Sequence, residues 1–384
     1  MFLNSCVAEQ VSNGLAPEVV DLNAKDVSYA LEHKLPYLEE PYISTSPKNM
    51  KDGITVGKLG VDGGNKDKIL AFADFIAQPA KDPKSLNTDS LLISYKRKLI
   101  FESYYRRGRA NYPHYQMSIA KAYTAMAIGR AIQLGHMSNE DLNKPILHFL
   151  KDIDASKIAS GAENITLEQA MCMGSGLRLD DAKVRAFRQK RNALKGQGQI
   201  QAYLESSASV PPAPREFKYQ PSDPSIAMQV LETCVPGGAR EFIENQFWGK
   251  MGITNYHWQD DVSGFPKAAA GCSVRSRDML KMGLLVLDKG KWQGEQLLPE
   301  DFCERATNPV KVTSTGPQYG YYWWVENVKV GNKTYLCKQG RGAGGQFIFI
   351  YPELELIIVM TAHNKGMGKM LYLANKKVLP AFLK

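Results

Sequence analysis

The chain has 384 residues, 44% hydrophobic and 23% charged, with 48 Lys+Arg against 39 Asp+Glu for a formal charge of +9. That is enough chain for a large core and two or three domains, and the balance excludes a disordered, collagen-like or coiled-coil protein. Six scattered cysteines with no C-x-x-C argue against a disulfide scaffold or a cysteine zinc site. No apolar run reaches the ~18 residues that a membrane span needs, and the positive charge comes with no recognised nucleic-acid module.

The start, MFLNSCVAEQ, lacks both the basic region and the roughly 7–15 apolar residues of a complete signal peptide. Leu3-Asn4-Ser5-Cys6 nevertheless resembles the end of a bacterial lipoprotein signal. It predicts a lipid anchor through Cys6 and a periplasmic or envelope location; an ordinary cysteine in a frayed terminus, and a cytoplasmic protein, is the alternative. Residues 1–90 are rich in Pro, Lys, Asp and Gly and read as an irregular N-terminal extension, with a short helix at Lys68–Ile76.

Regular signals begin at Leu91. Leu91–Tyr95 and Leu99–Tyr104 flank Lys96-Arg97-Lys98 and predict an antiparallel hairpin. Ser118 to Leu134 predicts a helix with Ile119, Ala122, Met126 and Ile132 on an apolar face and Gly135 as its stop. Thr166-Leu-Glu-Gln169 is a capping box for another helix, ended by Gly174-Ser175-Gly176. The basic stretch Lys183, Arg185, Arg188, Lys190, Arg191 and Lys195 reads as a solvated helical face. Helices are expected over Ser225–Cys234 and, with Ser276 as N-cap, over Arg277–Leu287. Strand-like runs then follow at 321–326, 334–337, 346–350 and 356–360, with a closing helix at about 369–379. With strands at both ends and helices between them, the expected fold is α+β. One antiparallel sheet takes residues 91–135 and 310–384, a mostly helical region takes 136–309, and the active site lies between them.

Ser118-Ile119-Ala120-Lys121 carries the chemistry. A separation of three puts the hydroxyl and the amine one helical turn apart on the same side. A lysine whose pKa is lowered by burial and positive surroundings can accept the serine proton, and a helix N-terminus favours negative charge developing there. Spacing alone leaves open an ordinary helix-start serine with an exposed lysine.

The surrounding landmarks add a resemblance. QMSIAK at 116–121, ITLEQAMCMGSGL at 165–177, FKYQ at 217–220, GCSVRSRDMLKMG at 271–283 and GRGAGGQFIFIYPELELIIVM at 340–360 follow in order behind the hairpin. From about Leu91 to Met360 the chain resembles the serine β-lactamase and penicillin-binding-protein-like hydrolases. The likeness is strongest to the class C β-lactamase, esterase and 6-aminohexanoate-dimer hydrolase branch. The resemblance implies that Ser118 is the acylated nucleophile, Lys121 its activating base and Tyr219 the catalytic tyrosine of a proton relay. It also implies an oxyanion hole from the backbone N–H groups of Ser118 and Ala343, with Gly340, Arg341, Gly342, Gly344 and Gly345 lining the substrate. An alternative register sets Lys338-Gln339-Gly340 against the family's K-T-G triplet.

Two departures matter. Pro221 stands where the family often carries Asn or Ser, and the K-T-G triplet is intact in neither register. Both losses weaken a β-lactam or peptidyl-D-alanine substrate more than an ester or small amide. Arg341 is a candidate replacement for the missing cation. His114 and His257 have no evident carboxylate partner, which disfavours a Ser-His-Asp triad. No clustered His/carboxylate set is legible either, so no catalytic metal and no cofactor is expected. Of Trp323 and Trp324, one should line the cleft. The expected protein is a serine hydrolase of a small ester or amide, with no nucleic-acid partner. A β-lactamase or D,D-carboxypeptidase and a non-catalytic acyl-ligand or cell-wall-binding homologue are the alternatives.

Overall fold

The apolar runs near the two ends of the chain pair with each other. The computed structural model describes residues 15–23, 26–78, 87–189, 191–314 and 316–383. Cys6 and Lys190 lie outside them. Thr88–Tyr95 and Lys98–Tyr104 form the expected hairpin, and Thr88–Tyr95 also pairs antiparallel with Leu356–Ala362. The sheet continues through Gln346–Tyr351, Lys333–Gly342, Trp324–Val330, Gln318–Tyr319 and Lys311–Val312. Tyr42–Ser44 closes the opposite edge beside Lys98–Tyr104, and Thr55–Val56 adds a short parallel pairing, making ten strands among the described residues. The fold is therefore α+β, with helices flanking the sheet and a helical region inserted between its two halves.

Alternation along the strands explains why both faces are covered. Ile348, Ile350, Ile357 and Val359 belong to one core with the inserted helices, whereas Phe347, Phe349, Tyr351, Ile358 and Met360 belong to a second. That second core is roofed by the Lys66–Ala77 helix and the C-terminal turns around Ala374 and Val378. Full burial of each large apolar side chain contributes about 1.5–3 kcal/mol, so two buried faces hold the central strands firmly. The Ser276–Leu287 helix approaches the first face closely at Gly283, where an added Cβ would sit 2.8 Å from Ile357 Cγ2.

The Ile119–Gln133 helix is buried on every side from Ile119 to Ala131, so the single apolar face read from the sequence understates it. Its small residues make this feasible: at Gly129 a Cβ would stand 2.5 Å from the Phe302 ring. Other boundaries shift by physical cause. Ser276 is the first helical residue rather than the cap, because its hydroxyl bonds Ser90 Oγ at 2.7 Å across the core. The strand expected from Tyr321 starts at Trp324, since Tyr321 and Tyr322 turn back to bond Ala306 O and Met171 O. The capping box at Thr166 forms, but its helix stops at Met171. Among the described residues no helix is long and apolar enough to cross a membrane.

Candidate active site

The turn into the Ile119–Gln133 helix is fixed before it reaches Ser118. Gln116 N–H donates to Cys272 O at 2.7 Å, its side-chain amide donates to His114 O, and Tyr123 OH donates to its side-chain oxygen. Met117 then takes φ 49°, a left-handed conformation that costs a non-glycine residue energy and survives only where its surroundings enforce it. Ser118 follows as the N-cap without a capping hydrogen bond of its own, which leaves its hydroxyl for other partners.

That partner is Lys121. Its side chain is 4% exposed, and Nζ lies 2.8 Å from Ser118 Oγ and 2.6 Å from Ala269 O. Among the described residues no carboxylate pairs with this amine, so desolvation acts unopposed and lowers its pKa from 10.5 to about 7. The amine also stands 4.9 Å from the centre of the Tyr219 ring. Tyr219 is 42% exposed, yet its phenol is pushed up by burial, with an interaction at the Ser118 hydroxyl opposing the shift. The structure thus brings Ser118, Lys121 and Tyr219 together.

Tyr219 is anchored by contacts of its neighbours that the sequence did not reveal. Lys218 N–H donates to Met173 O at 2.8 Å. Gln220 turns inward, donating to Ser175 Oγ at 3.1 Å and to Asp223 Oδ1 at 2.7 Å, and Ser175 Oγ donates to the same carboxylate. Burial raises the Asp223 pKa to about 6 despite those hydrogen bonds. Pro221 ends the segment as the N-cap of the Ser222–Cys234 helix, and a cavity of about 270 Å³ runs from Pro221 and Ala269 to Tyr203, Gln199 and Val262.

The third wall is the end of the Lys333–Gly342 strand. At Gly342 a Cβ would lie 2.4 Å from Gln116 O, so only glycine lets this edge reach the turn that carries Ser118. Gly340 packs on Ile119. Ala343 is next, exposed in the turn that Gly344 and Gly345 make with φ of 87° and 105°. Gln346 braces that turn from behind, donating to Ala362 O at 2.6 Å and accepting from Ala362 N–H.

Other expected residues are placed elsewhere. Lys338 donates to Thr307 Oγ1 at 2.8 Å, so the alternative register does not bring its amine to Ser118. The Arg341 guanidinium binds Glu326 and Gln339 at 2.6 Å each and lies 4.9 Å over the Trp324 ring, already engaged by protein groups. Trp324 faces Tyr219, whereas Trp323 is fully buried. His114 requires a correction. Its Nδ1 pairs with the buried Glu32, and with His363 the two form a clustered His/carboxylate set that the sequence reading had excluded. The fold draws these residues from three distant segments, where no local spacing reveals them. Ser118 nonetheless takes Lys121, not His114, as its partner.

Comparison with known proteins gives the chain a family and its fold a set of relatives. The profile of the family described as beta-lactamase matches residues 75–379. The 6-aminohexanoate-dimer hydrolase of Paenarthrobacter ureafaciens is 22% identical over 289 residues, 71% of each chain. A Bacillus anthracis protein provisionally assigned as a 6-aminohexanoate-dimer hydrolase superposes with a TM-score of 0.63 at 17% identity, over 93% of this chain and 88% of that one. A class C β-lactamase superposes with a TM-score of 0.61 at 14% identity, over 83% of this chain and 95% of its own. At such identities the structural likeness speaks for the fold.

Proposed function

Because the chain belongs to the beta-lactamase family, an enzymatic hydrolase superfamily, we propose that it cleaves a small ester or amide through an acyl-enzyme on Ser118. The observation that carries this reading is the 2.8 Å contact between Ser118 Oγ and an amine whose pKa is lowered to about 7. Near neutrality about half of such lysines are uncharged. With one N–H committed to Ala269 O, the lone pair of the neutral amine is available to take the Ser118 proton.

Ser118 Oγ then attacks the substrate carbonyl. The charge that develops on the carbonyl oxygen is met by the N–H groups of Ser118 and Ala343 and by the helix N-terminus. As the tetrahedral intermediate collapses, a proton passes through Lys121 and Tyr219 to the leaving alcohol or amine. Water, deprotonated by the same pair, then releases the acid and restores Ser118. Gly342, Gly344 and Gly345 keep side chains out of the path of the acyl group, and the cavity beside Pro221 and Ala269 is the candidate pocket for one end of the substrate. The printed name of one relative, a 6-aminohexanoate-dimer hydrolase, sets a small dimer among the candidate substrates. A periplasmic or envelope location through lipid on Cys6 is part of the proposal, tested by sequencing the natural gene upstream.

The decisive experiment is labelling with a fluorophosphonate, read by intact mass and peptide mapping. One adduct on Ser118 is expected, absent in Ser118→Ala. An adduct on another residue, or none under conditions that label related hydrolases, would end the proposal.

A further inference from the structure

Behind the turn that carries Ala343, Glu32, His114 and His363 converge from three parts of the chain, each offering one ligand atom within 4.8 Å of the others. We infer that these three side chains form a binding site for a divalent transition-metal ion of the zinc type, fastening the N-terminal segment to the wall of the active site. The inference is independent of the hydrolase reading.

The surroundings and chemistry of the cluster fit a metal better than a plain hydrogen-bonded trio. His363 Nδ1 is held by Asp89 Oδ2 at 2.6 Å, which fixes the ring and leaves Nε2 facing inward. That Nε2 is buried without a hydrogen-bond partner, 3.6 Å from Glu32 Oε1. A carboxylate behind a histidine whose other nitrogen looks into a shared space is the usual outer-shell support of a metal ligand. Glu32 is prepared in the same way: Tyr115 N–H donates to Oε2 at 3.0 Å, while Oε1 faces both imidazoles. Gln346 interacts with the His114 ring and also braces the Ala343 turn. The donor set is chemically selective, since two imidazoles and one carboxylate suit zinc or its neighbours and not magnesium or calcium. Bonds of about 2.0–2.1 Å would set the ligand atoms roughly 3.3 Å apart, so only small rotamer changes separate the present arrangement from a bound one. Water would supply the fourth ligand.

The test titrates the chelator-stripped full chain with Zn2+ by calorimetry and with Co2+ by visible absorption. One ion per chain is expected, with intense Co2+ bands of a four-coordinate site and a raised Tm. Glu32→Gln keeps the size and a hydrogen bond to His114, so it should fold while losing at least tenfold in affinity. Asp89→Asn should lose about 10–100-fold. Substoichiometric Zn2+ binding, weak octahedral Co2+ bands, or wild-type affinity in folded Glu32→Gln would each overturn the site and leave a proton shared between Glu32 and His114. Should His363→Ala fail to fold, Glu32→Gln and the wild-type Co2+ spectrum still decide.

Discussion

The Trp324 indole stacks on the Tyr219 phenol, centroids 5.8 Å apart at 29°, while Lys121 Nζ stands 4.9 Å from the same phenol ring and Arg341 lies 4.9 Å over the indole. Tyr219 sits in a half-exposed segment, and this stacking, with the edge-on contact to Tyr319, helps hold its ring at the amine. Aromatic pairs of this kind contribute about 0.5–1.5 kcal/mol beyond area burial. Trp324→Ala should therefore lower kcat/KM for an ester by roughly 3–10-fold, and Trp324→Phe should recover most of it. Equal losses in both variants would show that the indole acts in some other way than by stacking.

The pH dependence follows from Lys121. In the proposed mechanism its reactive form is the neutral amine, so kcat/KM should rise with pH through about 7 and level off above it. Lys121→Ala should slow acylation by about 10²–10⁴-fold. Stability moves in the same direction. The native amine titrates near 7 and the unfolded one near 10.5, so between those values the unfolded state binds more protons and stability rises with pH. Lys121→Met should abolish that slope and raise Tm at neutral pH. Thermal melts at pH 6, 8 and 10 check this; a wild-type Tm that falls over the range for reasons absent in the variant would contradict it.

Much of this site was legible from the residues. S-x-x-K at a helix start fixes the spacing of Ser118 and Lys121, because helical geometry is local. Apolar runs bounded by turn residues likewise marked the hairpin and the central strands. What stayed hidden depends on tertiary contacts. The burial that lowers Lys121 comes from the whole fold, and its second partner, Ala269 O, is a backbone atom that no side-chain pattern marks. Asp223 and Ser175 meet across 48 residues, and Glu32 reaches His114 from a segment read as an irregular extension. Ser276 was misread as a cap because sequence shows that a hydroxyl is present, not which partner wins it.

Gly342 and Gly340 separate close approach from mere smallness. A Cβ on Gly342 would meet the backbone oxygen of Gln116 at 2.4 Å, and a carbonyl in a braced turn cannot swing aside. Gly342→Ala should push Ala343 away from Ser118 and cost about 10²–10³-fold in kcat, as removal of one oxyanion donor does. Gly340→Ala would meet Ile119 Cγ2 at 3.5 Å and Ile348 Cβ at 3.6 Å, ordinary contacts, and should stay within about threefold of wild type. Kinetics on folded variants separate the two, and equal effects would exclude Ala343 from the reaction.

Substrate choice is the last prediction. A β-lactam or peptidyl-D-alanine brings a carboxylate and an amide that need matched partners in the cleft. Pro221 offers no side-chain hydrogen bond and is committed as a helix cap. The Lys338 amine is spent on Thr307, and the Arg341 guanidinium on Glu326 and Gln339. Each unmatched polar group left in a desolvated cleft costs about 1–3 kcal/mol. A short acyl ester or small linear amide makes no such demand, and in the proposed mechanism Ser118, Lys121 and Tyr219 suffice for it. A short p-nitrophenyl ester and a small linear amide should therefore exceed nitrocefin and a D-Ala-D-Ala peptide in kcat/KM by at least about tenfold. Glu326→Gln, which loosens the hold on Arg341 without deleting it, should narrow that gap by freeing a cation for the carboxylate. Were nitrocefin or the peptide turned over well above both simple substrates by the wild-type protein, the cleft would have to recognise the carboxylate through groups other than these, and the ester or amide assignment would fall.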